Sequence, residues 1–294
     1  MNELIKEEWD FYFKGAAFKS KYTIASYKNN HRRLTDYLDS PIIEATSKEV
    51  IQAVNELANN PNTRASLLNT AIIFFGLYEL NVDDLQKEAV KIKSDIINHR
   101  NLKAADKVKD LPTPDELNKQ LKALYVAEKW ADFIILWLMI NYNTRNQDVD
   151  VELVTSIHKT KSDKTRNYIV KRKEDFVFIR NNYKTSSTYG PKRHIFKSEL
   201  VKRAMRYWEA QQPPGEPLHL INNKGEPLAE GSIANHIKKI TGGLTESDIN
   251  KIQVTAIEAI ADYDKLLKMS ERRGTDPNTL ITQYNLKFQT KDLK

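Results

Sequence analysis

Four groups of residues have types and spacings that suit chemistry on a negatively charged group. Tyr284 lies in Leu266 to Leu286, LLKMSERRGTDPNTLITQYNL, which reads as two short helices joined by a turn at Gly274. A phenol has a pKa of about 10, so it acts as a nucleophile at neutral pH only with local help. Leu280, Ile281 and Tyr284 also recur at helical spacing, and that pattern alone describes a packing residue. The pair Arg272-Arg273 sits just before Gly274. It reads as a cationic helix C-terminus. Arg145 follows the apolar run Trp130 to Tyr142, with two readings: a cation at a helix end, or an anion-binding arginine on a rigid support.

The fourth group is the densest basic segment. Lys171 to Arg203 holds ten Lys plus Arg against three acids. Within it the loop Tyr183 to Arg193 interleaves Tyr, Thr and Ser with Lys184, Lys192 and Arg193. Hydroxyls beside cations suit contact with a phosphate backbone better than a merely solvated turn does.

Other chemistries lack their residues. With no cysteine, disulfides, thiolate metal sites and cysteine nucleophiles are excluded. The six histidines (31, 99, 158, 194, 219 and 236) have no metal-ligand spacing, so no metal is expected. No phosphate-binding glycine loop, dinucleotide fingerprint or serine-nucleophile elbow occurs, and no cofactor is expected.

The elements that must carry these groups are mostly helices. The first hundred residues show helical spacing: Ile5 to Phe13, Thr23 to Leu38, a helix through Leu57 capped by Ser47, and Thr63 to Leu80. Their polar faces hold Lys19, Lys21, Lys28, His31, Arg32, Arg33 and Arg64, a solvated face or a phosphate-tracking one. His99 to Asp110 is basic and weakly apolar and ends in Leu111-Pro112-Thr113-Pro114. This predicts a helical domain over 1–105, a linker over 106–113 and a second domain over 114–294. Thr113 is expected to cap a helix with Pro114 at its first position, running through Leu124. Trp130 to Tyr142 is apolar all round and predicted to lie in the core. Strands are expected at Asn167 to Val170, Phe176 to Arg180 and His194 to Phe196, with a short one at Leu218 to Ile221 and a turn at Asn222 to Gly225. Helices follow at Leu200 to Gln211, stopped by Pro213 and Pro214, and at Ser232 to Ile240, Ser247 to Ile260, Tyr263 to Glu271 and Asn278 to Tyr284. The fold class is mainly α with a small antiparallel β-sheet.

The chain has 294 residues, 40% hydrophobic and 29% charged, enough for two cores. A net charge of +7 favours a polyanionic partner, nucleic acid above an acidic protein or a membrane surface. The start, MNELIKEEWDFYF, is too charged for a signal peptide, and Phe133 to Ile140 falls far short of the ~20 residues that span a bilayer. An intracellular protein that is not secreted is expected.

In this order, the helical first domain, the LPTPDEL stretch, the apolar helix ending in TR-x-x-D, the basic hairpin and the late tyrosine helix resemble the tyrosine recombinases, or phage integrases. The NYKTSSTYGPK loop and the RRGT turn are most similar to the divergent integrase-like proteins of large DNA viruses. The resemblance spans essentially the whole chain. It implies an all-α core-binding domain, an α+β catalytic domain, and a clamp on double-stranded DNA as a homo-oligomer, dimer or tetramer. It implies cutting and rejoining through a 3′-phosphotyrosyl intermediate without metal or nucleotide. Tyr284 then corresponds to the nucleophile and Arg145 to the first phosphate-holding arginine. Lys184, with Lys192 as competitor, corresponds to the hairpin lysine that protonates the leaving oxygen. Lys28, Arg32, Arg33, Arg64, Arg180, Lys192 and Arg193 become DNA-contact candidates. Three positions depart from the family pattern: Ser247 replaces a histidine, Asn250 the second arginine, and Thr275 a histidine that donates to the phosphate. Arg272 and Arg273 are the nearest substitutes for the missing cation, with Lys251 also close in sequence. Two other readings follow from the departures and the charge. One is an inactive relative that binds DNA structurally. The other is a basic adaptor for an acidic protein.

Overall fold

The computed structural model describes residues 21–212, 218–221, 231–257 and 262–289. The expected helix Ile5 to Phe13, Lys19, the two prolines at 213 and 214, the turn Asn222 to Gly225 and the end of the helix expected to reach Ile260 lie outside the described residues. The chain divides into two compact units, Met1–Lys103 and Ala104–Lys294.

The first unit is helical where described: α1 Lys21–Leu38, α2 Ser47–Leu57, α3 Pro61–Leu77 and most of α4 Asp83–Asp110. Leu34, Val50, Ala53, Leu67, Leu68, Ala71, Leu85 and Ile92 form its core. The cap of α2 is Thr46 rather than Ser47. Thr46 accepts from the Glu49 amide while Glu49 reaches back to the Thr46 amide, a reciprocal capping box. Residues 106–110, expected as linker, continue α4. Alanine, lysine and leucine are good helix formers, and no glycine or proline interrupts them before Pro112.

The second unit wraps helices around one sheet. α5 Pro114–Val126 starts as the sequence predicts, with Thr113 and Glu116 in a capping box and Pro114 in the first turn. α6 Trp130–Tyr142 is the centre of the core: Phe133, Ile134, Ile135, Leu136 and Leu138 have no solvent exposure. The sheet contains β1 Val151–Val154, β2 Asn167–Lys171, β3 Phe176–Arg180, β4 Lys192–Ile195 and β5 Leu218–His219, in the order β4-β3-β2-β1-β5. It is mixed rather than wholly antiparallel, because β1 pairs parallel to β2 with Val151 opposite Asn167. A parallel pair needs a crossover, and the short helix α7 Ile157–Ser162 lies in it. Between β3 and β4 the loop forms a single helical turn, α8 Ser186–Tyr189.

α9 Glu199–Ala210, α10 Ser232–Ile240 and α11 Glu246–Thr255 pack beside α6 or the sheet. The chain then passes through α12 Tyr263–Arg273, α13 Pro277–Tyr284 and α14 Leu286–Gln289. Val254, Ile257, Leu266, Met269 and Leu280 form a separate small cluster there, with Ile281 and Tyr284 packed against it. No described helix is long and apolar enough to cross a membrane.

Candidate anion-binding site

Two helix C-termini meet in the second unit, and the site grows from that encounter. Each carries the partial negative charge of its last carbonyls, so the pair is unfavourable unless cations stand between them. The chain supplies them reciprocally. Arg272 of α12 donates to the Asn141 carbonyl at 3.1 Å and Arg273 to the Asn143 carbonyl at 3.2 Å, both at the end of α6. Arg145, just past α6, donates to the Arg273 carbonyl at 3.0 Å. The end of α12 draws in three further side chains: Lys192 on the Glu271 carbonyl, Arg180 on the Arg272 carbonyl, and Thr185 on the Gly274 carbonyl at 2.6 Å. Arg145 and the RR pair are thus cations at helix ends, but each caps the other's helix.

Gly274 makes the convergence possible. It closes α12 in the left-handed region at φ +66°, and a Cβ there would lie 2.8 Å from the Tyr183 ring. The loop after β3 thus rests on the backbone of the α12 turn. Tyr183 is buried, with its hydroxyl on the Gly190 carbonyl at 2.7 Å. Lys184, between Tyr183 and Thr185, is held beside this turn by its neighbours while its own side chain is exposed. Lys192 is closer in: its ammonium is bonded at the α12 end and its pKa is lowered by burial and by the nearby Arg180 guanidinium.

Tyr284 enters from α13. Its ring is half-buried against the C-terminal cluster, and its hydroxyl lies 3.4 Å from Arg273 Nη2. The Arg273 guanidinium also stands 4.9 Å from the ring centroid. Packing and proximity to cations are both true of this tyrosine. Arg273 itself is buried, and its Nη2 is shared with Glu246 Oε1 at 2.8 Å. The other Glu246 oxygen accepts from the Asn146 amide at 2.9 Å. Arg145 is half-buried, and its pKa is lowered by burial first and then by Arg273.

The three altered positions fall differently. Ser247 is in the first turn of α11 and half-buried; Thr275 is half-buried in the turn after α12, its carbonyl accepting from Ser270 at 2.5 Å. Asn250 is buried, and neither atom of its amide has a hydrogen-bond partner among the described residues. Lys251 carries a lowered pKa, through burial and then repulsion from Lys107. Arg272, by contrast, has an exposed side chain.

Several expected surface residues are elsewhere. Arg180 is wholly buried, not part of a contact surface: it pairs with Asp148 and stacks 4.7 Å from the Tyr183 ring centroid. It lies on an interior strand next to β2, so its charge must be met internally. Burial pushes the Asp148 carboxyl up, against the pull of Arg180. In the first unit, His31 leaves the polar face and is buried against Phe74 at 4.3 Å, where burial lowers its pKa to about 4. Arg64 is tied to Asp95 at 2.8 Å, and Arg33 caps the Leu57 carbonyl at 3.0 Å. Arg32 is exposed, with a loose 3.7 Å pair to Asp36 and a 3.3 Å hydrogen bond to Asn29 Oδ1, and Lys28 is half-buried. Arg193 is exposed on β4. With Lys197, Arg272, Tyr142 and His194 it lines an open cleft of about 520 Å³.

Sequence reasoning missed Glu246. It reads there as an ordinary acid in a helix's first turn, and nothing local signals that its carboxylate bridges Arg273 and Asn146, 27 and 100 residues away. No group of histidines and carboxylates among the described residues is arranged to hold a metal ion.

No protein-family model matches the chain, and no curated protein matches it. Among solved structures, the crystal structure of XerA recombinase is similar to it at 12% sequence identity, covering 98% of this chain and 95% of that one, with a TM-score of 0.40.

Proposed function

We propose that the protein binds duplex DNA through its phosphate backbone, with one phosphodiester held at the meeting point of α6 and α12 and attacked there by Tyr284. The observation that carries this reading is the convergence of Arg145, Arg272, Arg273 and Lys192 on two facing helix ends with the Tyr284 hydroxyl beside Arg273. Five cations, counting Arg180, stand there against the carboxylates of Asp148 and Glu246. A phosphodiester gains negative charge on its equatorial oxygens during displacement, and fixed cationic donors stabilise that charge. The order of sequence elements that resembles the tyrosine recombinases supports the same assignment.

In the proposed reaction the Tyr284 oxygen bonds to phosphorus, and its proton leaves to water. The bond from phosphorus to the 5′-oxygen breaks, and Lys192 protonates that oxygen. Arg145, Arg272 and Arg273 hold the non-bridging oxygens, and Arg273, beside the Tyr284 hydroxyl, also offsets charge on the phenolate as it forms. Arg273 stands in for the arginine absent at Asn250. Lys192 is assigned as the acid because its ammonium is bonded at the end of α12, and its lowered pKa brings it closer to neutrality. Rejoining reverses these steps.

Incubation with a nicked duplex, which releases a short strand and so traps the intermediate, tests the reading. A covalent protein–DNA adduct lost in Tyr284→Phe is expected. A second reading, structural DNA binding without cleavage, is favoured by one observation: Glu246 already occupies Arg273. Salt-sensitive binding with no adduct on any nicked substrate selects this second reading. Absence of DNA binding at low salt overturns both.

A further inference from the structure

The Glu246 carboxylate is placed where an anionic ligand of this centre would go. One oxygen accepts from Arg273 Nη2 and the other from the Asn146 amide, 2.8 and 2.9 Å away, so each oxygen takes a donor from a different part of the chain. The same Arg273 nitrogen reaches the Tyr284 hydroxyl at 3.4 Å. A phosphodiester also presents two oxygens sharing one negative charge, and it would meet these donors in the same way, next to the phenol. The carboxylate is also the more solvated member of the pair: 19% of the Glu246 side chain is exposed against 3% of Arg273. It can leave for water, whereas the guanidinium cannot.

We propose that Arg273 and the Asn146 amide form a phosphodiester subsite that Glu246 fills in the free protein, so that the carboxylate acts as a tethered competitor for DNA. The proposal rests on the phosphate-binding reading above and adds its control. Seating a backbone phosphate requires Glu246 to swing out. Once there, the phosphate replaces the carboxylate's charge beside the buried Arg273, so the guanidinium is never left unpaired. Apparent affinity is reduced by the fraction of molecules in which the subsite is open.

The test compares the full-length protein with Glu246→Gln, which keeps the shape and removes the charge. Inorganic phosphate binding is followed by calorimetry, duplex DNA binding by fluorescence anisotropy, and folding by thermal denaturation. Glu246→Gln should bind phosphate about tenfold more tightly, the gain for a site otherwise open about one-tenth of the time. DNA affinity should rise in parallel, and any Tyr284 adduct should form faster. Tighter phosphate binding with no DNA binding by either protein supports the subsite and removes the DNA reading. Unchanged or weaker phosphate binding by a variant that melts like the parent overturns the proposal. Should Glu246→Gln fail to fold, Glu246→Asp gives the decision, since its shorter carboxylate withdraws from Arg273: tighter phosphate binding supports the subsite and equal binding overturns it.

Discussion

Replacing Gly274 by alanine isolates the contact that holds the β3–β4 loop to the end of α12. Two costs arise. At φ +66° a side chain suffers left-handed strain of about 1–2 kcal/mol. The new Cβ would also lie 2.8 Å from Tyr183 Cε2 and 2.9 Å from Thr185 Oγ1. Tyr183 cannot yield easily, being buried, bonded to Gly190 and stacked under Arg180. Overpacking of this kind costs about 1–3 kcal/mol. Gly242 supplies the control. Its φ is +69°, yet nothing lies within 4 Å of its Cβ position, so Gly242→Ala incurs the strain alone. In a unit of this size each kcal/mol moves Tm by about 2–4 °C, so a contact cost near 2 kcal/mol lowers the Gly274→Ala midpoint about 4–8 °C below that of Gly242→Ala. Differential scanning calorimetry reads the difference. DNA affinity measured well below both midpoints should fall only in Gly274→Ala, because displacing Thr185 from the Gly274 carbonyl lifts the basic β3–β4 loop off the α12 turn. Equal midpoints, or equal DNA affinities, would refute the argument that the loop is seated on this glycine.

Three further outcomes are expected. Arg180→Met leaves Asp148 without its buried partner, and urea denaturation should show a loss of about 3–5 kcal/mol, while Arg193→Ala leaves stability unchanged and lowers the salt slope of DNA binding by about 0.9; a weakened salt slope in folded Arg180→Met would return Arg180 to the contact surface. Lys192→Ala should slow adduct formation about 10²–10⁴-fold and Lys184→Ala much less, since only the former removes the proposed general acid; the reverse order in single-turnover assays moves that role to Lys184. Burial, then Arg180, Lys192 and Arg272, hold the His194 pKa near 4 against 6.5 when unfolded. The unfolded chain therefore binds the extra proton first, so stability is full above pH 6.5 and falls as pH drops toward 4, by about 3 kcal/mol for 2.5 units at 1.36 each. Denaturation across that range should show a shallower fall in His194→Gln, and an unchanged profile would refute the assignment.

The parts of this protein that depend on neighbours within a turn can be read from residue order. The Thr113-Pro114 start, the all-apolar helix Trp130–Tyr142 and the Gly274 stop were legible because caps, periodicity and positive φ are local. The cap at Thr46 rather than Ser47 lies one residue away and obeys the same local rule. Arg145, Arg272, Arg273 and Tyr284 could be nominated from their types and positions. The partners could not. Arg145 reaches a carbonyl 128 residues away, Glu246 bridges two elements, and Arg180 turned inward although its basic segment looked like surface. The parallel pairing of β1 with β2 is equally unsigned, since no tight turn fixes it. Only the tertiary structure decides which helix ends face each other. Charges are met by whatever lies within a few ångströms in space, and that distance is set by packing of the whole unit rather than by spacing along the chain.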